Sequence, residues 1–261
     1  MEIQWLGTAG FRIKTGNTQF LVDPYLSRNP AAVPGQPLDP EDIKTASHIF
    51  LSHGHFDHTR DVPTMAEQTG ARVYCSRVAG QTLEKKGISP DLLEKISQDK
   101  WERKFKDFRA RSFFSRHVKF DKKLLITTLL KINFRIPRYL PLLTEFPCGQ
   151  VLSWRFYVED KIIHFFGSAG SSMEELESLT RLDEPVDILL VPLQGHSNIC
   201  GIAAQYVNIL QPKMVIPHHQ DDFFPPISKQ VEIDPFVKQV YKESPGTRVK
   251  IMEFNETLIL E

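Results

Sequence analysis

Cysteine is scarce in this chain, and long apolar runs and net charge are missing altogether. Only Cys75, Cys148 and Cys200 occur. They are far apart and odd in number, which argues against a disulfide framework and fits reduced thiols, each a small core residue. No apolar stretch reaches the ~18 residues of a membrane span, and the chain opens on a polar, strand-like segment rather than a basic and then apolar leader. Lys plus Arg balance Asp plus Glu at 32 each, so whole-chain charge gives no strong signal for nucleic acid. These absences lead to the expectation of a cytoplasmic globular protein. With 261 residues, 41% of them hydrophobic, the chain can bury a substantial core. No internal repeat calls for a solenoid.

What is present alternates between strand and helix patterns. "MEIQWLG", "FRIK" and "TQFLVD" are short strand-like runs, with Gly16-Asn17 as a hairpin turn. "HIFLS" and "ARVYCS" read as strands, and "DVPTMAEQTG" between them as a helix capped by Asp61 and stopped by Gly70. Ser89-Pro90 predicts the start of a helix, and "DFRARSFF" a strand ending just before His117. In the second half, "VLSWRFYV" puts Leu152, Trp154, Phe156 and Val158 on one face and returns as "KIIHFF". The loop "GSAGSS" then carries Ser171 and Ser172 three residues before Glu174 and Glu175, a capping-box pattern. Strand "DILLVPL", a helix around "IAAQYVNIL", strand "KMVIP", a helix after Asp234-Pro235 and a terminal hairpin about Asn255 follow. Strands followed by helices in two similar halves predict an α/β fold, a four-layer αββα sandwich of two mixed β-sheets flanked by helices, in one domain over residues 1–261.

The most informative stretch is "LSHGHFDHTR", with His53, His55, Asp57 and His58 inside six positions. On an extended segment residues two apart project to one side, so His53 and His55 can grip one ion together. Asp57 and His58 point back into the same space as the chain bends, to hold a second ion or complete the first. Imidazole plus carboxylate suits Zn2+ or another late divalent ion, with Mn2+ and Fe2+ as alternatives.

His53-x-His55-x-Asp57-His58, behind an apolar strand and before a helix, resembles the motif of the metallo-β-lactamase-fold hydrolases. "WLGTAGF", "FLVDPYL" and "VIPHHQDDF" look most like the branch containing ascorbate-6-phosphate lactonase and relatives named only as metal-dependent hydrolases. Relatives often have His where this chain has Thr8. The resemblance implies His117 as the third ligand of one metal, with His53 and His55. It implies Asp57, His58 and His219 for the other, with the neighbouring His218 in reserve. It also implies a metal-bridging hydroxide that attacks an ester, lactone, amide or phosphodiester bond, and a role for Asp57 in orienting it. Two zinc ions per chain are therefore expected. The alternatives are a phosphodiesterase acting on a lipid or nucleic acid, and a metal or ligand sensor without catalysis.

Many relatives carry a metal-bridging aspartate where this chain has Ser168. A neutral hydroxyl is a poor zinc ligand, so Ser168 is expected to hydrogen-bond with water at the site and the second ion to bind more weakly than the first. Asp23, before Pro24, is either a turn former or the acceptor that fixes a histidine tautomer. His196, in a loop after a buried strand, is either structural or a substrate contact in the active site. His48 and His164 lie in apolar runs and read as structural. Finally, residues 101–138 hold twelve Lys or Arg against three acids. Their later part belongs to a basic and apolar insertion at about 119–150, expected to be a lid favouring small anionic or amphiphilic substrates, a membrane-surface contact, a surface helix or a homo-oligomer contact.

Overall fold

A computed structural model describes residues 1–124, 126, 142 and 144–260. Most of the segment expected to form the insertion, including Lys131, Arg135 and Arg138, lies outside them.

Alternating apolar residues build the first sheet. Strands β1 (Glu2–Gly7), β2 (Gly10–Thr15) and β3 (Thr18–Val22) form the antiparallel meander, and β4 (His48–Phe50), β5 (Arg72–Ser76) and β6 (Leu93–Ile96) extend it in parallel. In the second sheet β7 (Glu102–Lys104), β8 (Phe108–Ser115), β9 (Val151–Val158) and β10 (Lys161–Phe166) run antiparallel, and β11 (Ile188–Pro192) and β12 (Met214–His218) continue in parallel. Among the described residues each sheet has seven strands and is mixed, as the sequence pattern predicts. The layer between them is aromatic: Phe11, Phe20 and Phe50 pack against Phe108, Trp154, Phe156 and Phe165. On the outer face of the first sheet lie α2 (Val62–Thr69) and α3 (Arg77–Lys85). On that of the second lie α4 (Met173–Thr180), α5 (Ile199–Leu210) and α6 (Asp234–Glu243). No helix among the described residues is long and apolar enough to cross a membrane.

Several local expectations are corrected. The C-terminal strands make no hairpin: β13 (Arg248–Val249) joins β12 in parallel, and β14 (Thr257–Ile259) pairs with β1 of the other sheet. Both sheets have an open edge there, and period-two alternation does not say which edge a strand will choose. Ser89-Pro90 opens only a single 3-10 turn, Pro90–Leu92, because Leu93 and Ile96 are drawn into the sheet beside β5. Asp61 stands before α2 without capping it; its carboxylate accepts the backbone N–H groups of Leu26 and Ser27 at 2.6 and 2.7 Å. Helix α3 and strand β7 were not anticipated. Of the cysteines Cys75 is core, whereas Cys148 and Cys200 are half-buried.

Strands β8, β10, β11 and β12 point the same way, and β3 and β4 run in parallel. The loops that follow their C-terminal ends meet at one end of the sandwich, where ligands of α/β sheets bind. Two buried bonds hold the sheets in register there. Trp154 Nε1 donates to Leu51 O at 3.0 Å, and Leu152 N to Ser52 O at 2.7 Å.

Candidate metal centre

The β4 strand ends at Phe50, and five residues of irregular chain lead to the four-residue helix α1 (Phe56–Thr59). His55 occupies its N-terminal cap position, so Asp57 and His58 fall in the first turn and face back towards His53. Glycine is required at position 54: a Cβ there would lie 2.2 Å from Pro147 O, and the Gly54 N–H donates to Cys148 O at 2.8 Å. A crossing chain therefore clamps the motif.

Six side chains converge. The ligand-type atoms of His53, His55 and His117 lie within 4.8 Å of one another, as do those of Asp57, His58 and His219. The two sets adjoin, the rings of His53 and His58 having centroids 4.0 Å apart. His53, His55, Asp57 and His58 follow β4, His117 follows β8 and His219 follows β12, so three segments from both sheets supply the cluster.

The spacing fits a coordinated cation. His53 Nε2 lies 3.1 Å from His55 Nδ1, and Asp57 Oδ2 lies 3.3 Å from His219 Nε2 and 3.6 Å from His58 Nε2. Two donors each ~2.0–2.1 Å from a tetrahedral zinc stand roughly 3.3 Å apart. Three of the other ring nitrogens are tethered, as in metal sites whose ligands are oriented from behind. His53 Nδ1 meets Ser52 Oγ at 2.9 Å, His117 Nδ1 donates to Val118 O at 2.7 Å and His58 Nδ1 donates to Asp23 at 2.7 Å.

Electrostatics divides the two sets. Burial and the neighbouring imidazoles push His53 and His117 below the ordinary histidine value and His55 down to about 4, leaving their lone pairs free at neutral pH. Burial acts the same way on His58, but the carboxylates of Asp23 and Asp57 outweigh it and raise that ring. Burial would raise Asp57; the charge of His58 and a hydrogen bond from His219 hold it below the usual carboxylate range.

Of the two readings of Asp23, the structure supports the tautomer-fixing one. Its fully buried carboxylate accepts Ser52 N–H at 2.7 Å, the Ser52 hydroxyl and His58 Nδ1–H. Gly167 leaves room for it, since a Cβ there would stand 2.0 Å from Ser52 Oγ and 2.7 Å from Asp23 Oδ2. Ser168 lines the site, where its hydroxyl accepts the Val118 N–H at 2.9 Å and so steadies the residue after His117. His218 turns into the core, stacked on Phe165 with Nε2 3.1 Å from Phe166 O, while His219 faces the cluster. His196 is not among the residues lining the cavity over the cluster; its Nδ1 accepts the Asn198 N–H at 3.0 Å, and Gln194 and Gly195 reach the wall instead. His48 is half-buried against Phe105, and His164 Nδ1 accepts from the buried Arg155 at 3.3 Å.

Sequence reasoning missed what holds His219. Its N–H donates to Thr8 O at 2.8 Å, and the Thr8 N–H lies 3.0 and 3.2 Å from the two oxygens of Asp221. Both Thr8 and His219 have positive φ, 51° and 62°. The acid pair in "HHQDDF" was the available signal, but nothing local links it to position 8.

Comparison with known proteins identifies the family. The model of the beta-lactamase superfamily domain matches residues 18–220. A UPF0173 metal-dependent hydrolase of Listeria welshimeri is 31% identical, with 99% of each chain covered. One from Pyrococcus furiosus is 28% identical over 97% of this chain and 95% of its own. Among solved structures, a metallo hydrolase of Ignicoccus hospitalis superimposes with a TM-score of 0.71 at 18% identity, covering 100% of this chain and 98% of the other. The convergent histidines, the sandwich that presents them and these matches place the chain in the metallo-β-lactamase superfamily, to which it belongs as a metal-dependent hydrolase.

Proposed function

We propose that the protein is a two-zinc hydrolase of ester, lactone, amide or phosphodiester bonds. In this reading His53, His55 and His117 hold one ion and Asp57, His58 and His219 the other. The carrying observation is that two three-residue donor sets adjoin, with ring nitrogens tethered from behind by Ser52, Val118 and Asp23. Five imidazoles, one carboxylate and no thiol favour zinc over harder ions. Two divalent ions held there would lower the pKa of a water at the site and polarise the oxygen of the bond under attack. Asp57 orients the attacking water and accepts its proton. Phe56 and Phe223 pack beside the donors and keep other water away.

Ser168 supplies no carboxylate between the two sets, and its hydroxyl is committed to Val118. Titration of metal-free protein with Zn2+ is therefore expected to show two successive equivalents, the tighter at His53, His55 and His117. Ser168→Ala should retain both, Ser168→Asp should tighten the second and His58→Ala should abolish it. A single equivalent at saturation, unchanged by His58→Ala, overturns the two-metal reading.

Asp23→Asn tests the support from behind. An amide can present its NH2 to His58 Nδ1 in place of an acceptor, so the ring loses the bond that fixes its tautomer. The second ion is expected to bind about 10- to 100-fold more weakly, measured by competition with a chelator. Unchanged affinity would remove Asp23 from the site.

A further inference from the structure

The cavity above the donors encloses about 200 Å3, and its chemistry is one-sided. Apart from the six donor residues its wall is apolar and largely aromatic, formed by Phe56, Val118, Phe120, Leu142, Phe223 and Ile227 among others. The neutral polar side chains there are Ser168 and Gln194, and no Lys or Arg lines it among the described residues. Four of the described basic residues of the 101–138 stretch are engaged with carboxylates outside that wall. Arg103 pairs with Glu94, Arg109 and Arg111 with Glu102, and Arg116 with Glu175. The aromatic wall continues outward as a packed cluster in which Phe56 meets Phe223, Phe224 and Tyr25. Phe120, 62% exposed, stands at the mouth with its ring centroid 6.4 Å from that of His117.

Among the described residues an ionised substrate would leave water for this wall without a counter-charge beyond the metals, whereas an apolar group gains from the transfer. Resting on the hydrolase reading above, we propose that the substrate is an uncharged carboxylic ester or lactone with an aryl-sized apolar group, seated against Phe56, Phe120 and Phe223. Among the described wall residues Gln194 is the neutral side chain able to orient its polar end through Oε1, since its Nε2 is engaged with Lys229 O at 3.3 Å. In the reaction the water oxygen bonds to the carbonyl carbon and the bond to the alkoxy oxygen breaks. That oxygen leaves with a proton passed from Asp57, and the acid product ionises. The carboxylate so formed is ill-matched to the wall, which favours its release.

The test compares methyl phenylacetate, methyl acetate, monomethyl succinate and 4-nitrophenyl phosphate with zinc-loaded protein. Since each apolar carbon in a fitted pocket is worth tenfold or more, kcat/KM for methyl phenylacetate should exceed that for methyl acetate by at least about tenfold. It should exceed that for either anion by more. Phe120→Lys, at an exposed position that folding does not depend on, should raise the succinate-to-phenylacetate ratio about tenfold. A second readout needs neither metal nor turnover: phenylacetone should bind metal-free protein more tightly than acetone does, by calorimetry, and Phe120→Lys should weaken it. Preferred hydrolysis of either anion, or phenylacetone bound no better than acetone, overturns the substrate class while leaving the hydrolase reading intact. Failure to hydrolyse any of the four, with phenylacetone still bound, would overturn the hydrolase reading and leave the apolar site standing.

Discussion

His55→Ala is expected to empty the first metal position. That variant leaves His53 and His117 as the only protein donors of a three-imidazole set, and two donors with several waters hold zinc far more weakly. Removing a partner that merely orients a ligand already costs about 10- to 100-fold in affinity, so loss of a ligand should exceed that. After dialysis, elemental analysis should find the first equivalent gone and hydrolysis gone with it. The folded state is the second readout. Metal that binds only the native protein stabilises it by about 2.7 kcal/mol at a hundredfold excess over Kd. Wild type should therefore melt higher with zinc than without, and His55→Ala should lose most of that increment. The metal-free proteins should melt alike, because His55 is not a core residue. His196→Ala is the contrast, expected to keep its metal because that ring bonds to Asn198 outside the cavity wall. Full occupancy in His55→Ala would sink the ligand assignment.

The motif around His55 was legible because its geometry is local. Spacing along six residues, with Gly54 thinning the chain, was enough to bring His53, His55, Asp57 and His58 to one place. The paired sheets were legible for a similar reason, since Leu152, Trp154, Phe156 and Val158 alternate onto one face wherever the strand lies. His117 and His219 needed the family resemblance, because nothing near them says that the ends of β8 and β12 meet. The C-terminal strands were misread because alternation specifies a face and not a partner. The aromatic wall was invisible for a further reason. Phe56 and Phe223 stand 167 positions apart, and each alone reads as an ordinary apolar residue. Least legible was the support of His219, where residues 213 positions apart share a hydrogen bond.

That support gives the second large effect. Arg28 Nη2 lies 2.7 Å from Asp221 Oδ2, and both side chains are only 2% exposed. Burial pushes the guanidinium below its ordinary value, with Asp221 the main opposing charge. Arg28 Nε, Nη1 and Nη2 have no hydrogen-bond partner among the described residues, so its charge rests on this ion pair, the nearby Asp222 and the face of Phe254, 5.0 Å from the guanidinium carbon. Breaking a buried pair by removing one member costs about 3–5 kcal/mol, because the other charge is left in place. Asp221→Ala should therefore lower Tm by roughly 6–20 °C, at ~2–4 °C per kcal/mol for a chain of this size. It should also weaken the second ion by a separate route. Thr8 is a β-branched residue at positive φ, a conformation that costs ~1–3 kcal/mol and persists only where neighbours enforce it. Asp221 enforces it through the Thr8 N–H, and Thr8 O in turn holds the His219 N–H. The two routes separate in the double variant Arg28→Met with Asp221→Ala. Removing both charges should restore most of the lost Tm, since an apolar replacement of a buried pair is often neutral. It leaves Thr8 unheld, so the second zinc should stay weak by titration. Recovery of zinc affinity along with Tm would show that the pair serves stability alone and that Asp221 has no part in positioning His219.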